Sequence, residues 1–256
     1  MKLIESIKKD FNTMTLVLIP VAIAINIAVG QLVFVLKLPI YLDSIGTVLV
    51  GALAGPWAAL VTGALANIIW GLTLAPTSMP FFYVAAVIGV MAGYAGRLGL
   101  FKRSSPRWLS VLVGGIFFFA LTLFILSFVS ASRSPEGIIP NAVDLVRQYA
   151  LVFILTTVVG LAVGYFLLMR AGYAGLAGLV TGLVAAVISA PTAAIVFGGV
   201  TGAGTDLLVA AFRASGANIL ASTLAQGTVS DPFDKMVSFL IVWVIVQSLP
   251  ARFKIR

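Results

Sequence analysis

The residues able to do chemistry in this chain fall into a few short runs. Tyr41, Asp43, Ser44 and Thr47 form the first, in LPIYLDSIGT. Asn67 and Trp70 follow, with Thr77, Ser78 and Tyr83 around the next turn. A third run is the glycine-rich FGGVTGAGTD, residues 197–206, which holds Thr201 and Asp206, and a fourth is SDPFDK, residues 230–235. Hydroxyls, an amide, an indole and isolated carboxylates are the groups of a recognition site, since they hydrogen-bond a solute without offering an activated nucleophile. Histidine is absent, which removes the commonest proton shuttle at neutral pH, and cysteine is absent, which removes disulfides and thiolate metal sites. An enzyme, a cofactor and a bound metal are therefore not expected. Without a GxxxxGK[ST] loop, the chain is not expected to hydrolyse ATP by itself.

Each polar residue also has a structural use. Asp231 fits a helix N-cap, with Pro232 in the first turn and Asp234 at its third position, and Lys235 can pair with Asp231 one turn back. Asp43 can cap a helix in the same way. Asn67 lies inside an apolar run, so its amide needs a partner on a neighbouring helix or on a bound solute.

The elements that carry these groups are set by composition. The chain of 256 residues is 61% hydrophobic and 9% charged, with a mean hydropathy of +1.15. A soluble domain carries roughly a quarter charged residues, so this chain belongs in a bilayer. A spanning helix needs about 20 mostly apolar residues. Eight segments approach that length: 14–36, 40–54, 56–74, 80–98, 108–130, 145–170, 175–197 and 232–249. The second is short. Lys8 and Lys9 precede the first as they would a signal peptide, but its apolar core is too long for one.

Eight spans place the loops alternately on two sides, and cytoplasmic loops collect Lys and Arg. With the N-terminus inside, that side holds 11 of the 16 bases and two acids, and the other side five bases and six acids. Charges of +9 and −1 result, which account for the net +8. Both termini are then cytoplasmic. The basic balance is a topology signal, and no nucleic-acid partner is implied.

Helices associate in lipid through small residues that let backbones approach. Gly51/Gly55, Gly89/Gly93, Gly160/Gly164 and Gly178/Gly182 supply four such pairs at one-turn spacing. The first span has no glycine pair, but Ala22, Ala24 and Ala28 make a smooth patch that could seat a second membrane protein. In this topology every polar run sits at an outer helix end. Residues 207–212 and 219–224 flank Ser215 and Gly216, and read as a broken amphipathic segment on the outer surface. The connection of about 30 residues before the last span exceeds what a compact turn needs. A polar, partly aromatic pocket open to the outside and covered by a long loop is expected, a capture site for a small molecule.

The quoted residues carry a resemblance. LPIYLDSIGTVLVGALAGPWAALVTGALANIIWGL, residues 38–72, resembles the second and third helices of the substrate-binding S-components of energy-coupling-factor (ECF) vitamin transporters. DPFDKMVSFLIVWVIVQSLP resembles their last helix, and Ala24 to Ala28 is similar to the AxxxA patch on their first. The likeness covers residues 10–100 and 172–250. The family typically has six helices, and this chain carries a further pair within 107–170. The resemblance implies one all-α integral membrane domain over 1–256, a six-helix core with a two-helix insertion, in the plasma membrane of a prokaryote. It implies a vitamin or similar micronutrient bound from outside, with Tyr41, Asp43, Asn67, Trp70, Tyr83, Thr201 and Asp206 as the substrate-binding set. It also implies docking through Ala24 and Ala28 onto a transmembrane T-component that carries two ABC-type ATPases. A membrane sensory or regulatory module, a stand-alone secondary carrier and an intramembrane enzyme are the alternatives. The residues leave the solute open, although outer acids outnumber outer bases and offer a strongly anionic one no basic cradle.

Overall fold

The computed structural model describes residues 2–133 and 140–250, and every regular element among them is helical. The chain divides into two compact units. The first, from residues 1–35, 41–103 and 237–256, contains α1 (Lys2–Asp10), α2 (Thr13–Val35), α3 (Ile45–Leu53), α4 (Pro56–Thr73), a 3-10 turn (Pro76–Phe81) and α5 (Phe82–Arg97). The second, from 36–40 and 104–236, contains α6 (Arg107–Arg133), α7 (Ala142–Gln148), α8 (Ala150–Phe166), α9 (Gly172–Ile195) and α10 (Asp206–Ala214). The last helix, α11 (Ile219–Ser248), begins in the second unit and ends in the first.

Among the described residues, five helices are long and apolar enough to cross a membrane: Thr13–Val35, Pro56–Thr73, Pro76–Arg97, Arg107–Arg133 and Gly172–Ile195. A sixth is added if Ala142–Gln148 and Ala150–Phe166, bent by 91°, count as one broken span. These suggest a multi-pass membrane protein. Two of the eight expected segments take another form. Segment 40–54 contains a helix of nine residues, about 13 Å long against roughly 30 Å of hydrocarbon. Segment 232–249 is the end of α11, a helix of 30 residues whose interior holds Asp231, Asp234 and Lys235. Of the charges used to assign sides, Glu136, Arg252, Lys254 and Arg256 lie outside the described residues.

The shortness of α3 has a local cause in α2. Asn26 is 2% exposed and lies about 20 Å along its helix from Thr13. Its Oδ1 accepts hydrogen bonds from the Gly46 N–H at 2.7 Å and the Thr47 N–H at 3.4 Å. Its Nδ2 donates to Thr47 Oγ1 at 2.7 Å. The residue preceding α3 is Ser44, whose side chain makes no cap, so an amide from another helix satisfies the first-turn donors instead. Gly46 makes the approach possible, because a methyl group there would overlap the Ala22 carbonyl.

A second polar joint in this unit is built on Asp10. Asp10 is fully buried and accepts from the Trp57 N–H at 3.0 Å, in the first turn of α4. Pro56 opens that helix and has no N–H to satisfy. Arg97 Nη2 donates to both Asp10 oxygens, at 3.0 and 3.2 Å, and to Ser6 Oγ at 2.8 Å. The Gly55–Pro56 turn is thus where α1, α4 and α5 are tied. Gly55 has φ +122°, and a side chain there would run into the Asp10 carboxylate.

The glycine pairs work as packing surfaces inside each unit. Gly51 meets the backbone of Ala92 and Gly93, and Gly89 meets that of Ala59. Gly160 and Gly164 lie on Gly114 and Ser110, joining α8 to α6. Gly178 and Gly182 lie on Lys235, Asp231 and Pro232, joining α9 to α11. That last contact corrects the expected cap. Pro232 is inside α11, so Asp231 caps no helix. The helix starts earlier, where Asn218 Oδ1 accepts from the Ala221 N–H at 2.9 Å. Segment 219–224 is therefore the first turns of α11 and no separate surface piece.

Asn26→Ala leaves the first-turn donors of α3 unpaired in an apolar interior, a loss of about 1–3 kcal/mol. Thermal unfolding of the purified variant in detergent is expected several degrees below the wild type. An unchanged transition would show that the cap contributes nothing.

Candidate solute-binding site

In the first unit, Asp43, Trp70 and Gly30 converge. A Cβ on Gly30 would stand 3.0 Å from the Trp70 ring and 3.1 Å from Asp43 Cβ, so the bare backbone of α2 is what lets both side chains lie there. Trp70 is 7% exposed, and its indole N–H donates to Gln31 Oε1 at 2.7 Å. Phe34 meets the indole edge-on, with ring centroids 6.3 Å apart. One turn of α2 thus supplies an amide and a ring to one tryptophan. Asp43 is half-buried at the end of the non-helical run before α3. Next to it Leu42 has φ +51°, a left-handed conformation that costs a branched residue about 1–2 kcal/mol. Such strain at a chain segment carrying a carboxylate is a common mark of a binding loop.

The other expected residues of this unit have local tasks. Asn67 is 5% exposed; its Nδ2 donates to the Ser78 main-chain carbonyl at 3.3 Å, and its main-chain carbonyl accepts from Ser78 Oγ at 3.2 Å. Its amide therefore finds the protein partner that an amide in lipid requires, and pins the 3-10 turn to α4. Tyr83 is half-buried at the start of α5, with its ring edge-on to Phe82 at 6.0 Å. Tyr41 is half-buried at the head of the run that leads to Asp43.

In the second unit, Thr201 and Asp206 are brought together with each other. Thr201 Oγ1 donates to Asp206 Oδ1 at 2.8 Å, and the Gly202 N–H donates to Asp206 Oδ2 at 2.7 Å. Lys37 Nζ donates to the Gly202 carbonyl. Gly198, Gly199 and Gly202 have φ of +57°, +84° and +83°, so the loop turns through conformations that glycine favours. The run 197–205 is thus a tied turn leading into α10.

A set missed from the sequence lies on the same unit's part of α11. Gln226, Ser230, Asp231, Asp234 and Lys235 are all buried. Gln226 Nε2 donates to Ser230 Oγ at 2.6 Å, and Ser230 Oγ donates to Asp231 Oδ1 at 3.2 Å. Lys235 Nζ donates to Asp234. The signal was available as a four-residue polar period, 222, 226, 230, 234 and 238, on one helix face. It was hidden by reading Pro232 as a helix start. Gln31 was missed because a single amide near a helix end carries no pattern.

These groups can hold a polar solute by hydrogen bonding and ring contact, with one half-buried carboxylate at Asp43 to meet a donor or a positive charge. Ala24 and Ala28 stand elsewhere on α2. Both are exposed, along a stripe with Val17, Val21, Leu32 and Val35, while Ala22 and Asn26 face inward. Compared with family models, curated proteins and solved structures, the chain matches none.

Asp206→Ala removes both hydrogen bonds that close the glycine turn. Hydrogen exchange across residues 200–205 is expected to rise about tenfold, the effect of losing roughly 1.4 kcal/mol of local protection. Unchanged exchange would show that the turn is held by something else.

Proposed function

We propose that this chain is the substrate-specificity subunit of an ECF-type importer, binding a vitamin-like micronutrient from outside a prokaryotic cell. Uptake is then driven by ATP hydrolysed in two ABC-type ATPases, reached through a transmembrane T-component. The observation that carries this reading is the placement of Ala24 and Ala28. Two small residues one turn apart on an exposed helix face gain little from lipid but permit close backbone approach by a partner helix. The opposite face of the same helix carries Asn26 inward. One helix thereby serves a docking surface and a polar interior, the combination an energy-coupled binding subunit needs. Asp43 and Trp70 are the proposed first contacts for solute, with Tyr41 close to Asp43 in sequence, Asn67 on the same helix as Trp70, and Tyr83 at the start of α5. Thr201 and Asp206 act by setting the outer turn.

The proposed topology has eight crossings and both termini in the cytoplasm. It is supported by the clustering of Lys9, Arg97, Lys102 and Arg103 around one cleft of the first unit, as residues on one side of a membrane require.

Ala24→Leu and Ala28→Leu are each expected to reduce co-purification with the T-component and ATPases at least tenfold. Solute retained through purification, read by native mass spectrometry, should not change. Assembly of both variants at the wild-type level would refute the docking surface. The chain has no cysteine, so the topology is tested separately with single substitutions. An impermeant maleimide should label Lys37→Cys and Arg213→Cys in intact cells, and should leave Lys8→Cys and Arg103→Cys unlabelled until lysis. The reverse pattern would invert the orientation.

A further inference from the structure

In the second unit, the start of α6 and the close of α8 meet at one end. Arg107 opens α6, and its guanidinium lies 5.8 Å from the ring centroid of Tyr165, in the last turn of α8. The turn after α8 is tied to the same place. The Ser105 N–H donates to the Arg170 carbonyl at 3.4 Å, and the Gly172 N–H donates to Ser105 Oγ at 3.0 Å. Arg170 therefore sits against Ser105, and Arg107 follows two residues later, at most about 7.6 Å from Ser105 between Cα atoms. Both arginines are exposed, and their long side chains can reach one shared point.

No acid answers them. Residues 104–135 and 145–205, which contain α6, α8 and α9, hold no Asp or Glu. The acids that α11 brings to this unit, Asp231 and Asp234, are buried, and Lys235 Nζ donates to Asp234. Among the described residues neither guanidinium forms an ion pair. The ring contact of Arg107 needs none of its five N–H donors, which stay available to an acceptor.

The surroundings fix the depth of this pair. Trp108 is 66% exposed next to Arg107, and Tyr165 and Phe166 are both exposed, with their rings edge-on at 4.9 Å. Amphipathic rings at one end of long apolar helices mark the headgroup level of a bilayer. Deeper along the same helices, Leu161 lies over Gly115, where a Cβ would stand 2.8 Å from Leu161 Cδ2. Arg107 and Gly115 are about two turns apart on α6, and Tyr165 and Leu161 are one turn apart on one face of α8. Leu161 and Tyr165 are both exposed, so an apolar track leads from the charged end toward the acyl level.

We propose that Arg107 and Arg170 hold the phosphate of an anionic glycerophospholipid, whose acyl chains lie along Tyr165 and Leu161. A guanidinium presents parallel N–H donors that match the oxygens of a phosphate, and two of them can share one phosphate. A soluble phosphate makes no use of the apolar track, which assigns the place to a lipid. The inference needs only that the chain sits in a membrane, and it stands or falls separately from the import reading.

The test uses the full chain, purified and exchanged into mixed micelles, with native mass spectrometry as the readout. Phosphatidylglycerol and phosphatidylcholine with matched acyl chains are offered together. The wild type is expected to retain phosphatidylglycerol preferentially, and Arg107→Gln/Arg170→Gln should lower that preference about tenfold. Arg107→Gln and Arg170→Gln singly should each lower it about threefold, which keeps the test decisive if the double variant does not fold. Arg133→Gln/Arg147→Gln removes the same charge from the far end of α6 and from α7, and should leave the preference unchanged. Sodium phosphate at matched phosphate concentration should not displace the lipid. Equal retention of the two lipids by the wild type would overturn the proposal, as would an undiminished preference in the Arg107 and Arg170 variants. An equal loss in the Arg133 and Arg147 pair would reduce the effect to total charge and overturn the site. Displacement by sodium phosphate would assign the arginines to a soluble phosphate and overturn the lipid.

Discussion

A single primary amide, buried midway along α2, constrains how the first unit can be built. In an apolar interior the Asn26 side chain must spend its hydrogen bonds on protein. It places them on Gly46 and Thr47, the donors that the start of α3 leaves open. The helix therefore begins beside the middle of α2 and covers only part of a crossing by itself. The chain before it has to run without helical bonds, a state tolerated at membrane depth only where protein or a polar cavity covers it. That run ends in Leu42 and Asp43, and Asp43 comes to rest beside Gly30 and Trp70. One side-chain cap thus accounts for the short helix, the strained loop and the position of the carboxylate.

The same physics recurs with different groups. Asp10 does for α4 what Asn26 does for α3: it accepts from a first-turn N–H that no residue of the helix itself satisfies. A charged acceptor is stronger than an amide but costs more to bury, and Arg97 offsets that cost at 3.0 Å. In the second unit the polar row of α11 is bonded along its own helix, from Gln226 to Ser230 to Asp231. Gly178 and Gly182 of α9 lie directly on the backbone around it. Bringing a bare helix face against the interior proline closes space that a side chain would otherwise fill. Polar satisfaction and small-residue packing are therefore solved at one contact.

Much of this was legible in the sequence, and the failures have specific causes. Long apolar helices were readable because a 20-residue run has few competing explanations: 14–36, 56–74 and 108–130 appear as Thr13–Val35, Pro56–Thr73 and Arg107–Arg133. The glycine pairs were readable because one-turn spacing has a direct packing meaning. The break before α3 was not, since it depends on Asn26, 20 residues upstream, reaching across to Gly46. Nor was the start of α11, because Pro232 and Asp231 form a good local start signal that tertiary packing against Gly182 overrides. Trp70 and Asp43 were both picked out by their polar character, but in separate runs, and their meeting was not foreseen. Gln31 and Gly30, which set their geometry, carried no pattern of their own. The ties of Asn67 to Ser78 and of Thr201 to Asp206 show the structural use that each residue type always offers beside a ligand role.

The proposed uptake function draws on this arrangement at two places, the carboxylate beside Trp70 and the alanine face of α2, and both are positioned by a helix whose inner face is occupied by Asn26. The cap is accordingly the feature on which the account rests. Residue-resolved hydrogen exchange of the wild-type protein in lipid nanodiscs measures it directly at Gly46 and Thr47. Amides at these two positions should exchange as slowly as those in the interior of α4, although they stand at the very start of a short helix. Exchange at the rate of the non-helical residues 41–44 would contradict the cap, and with it the placement of Asp43.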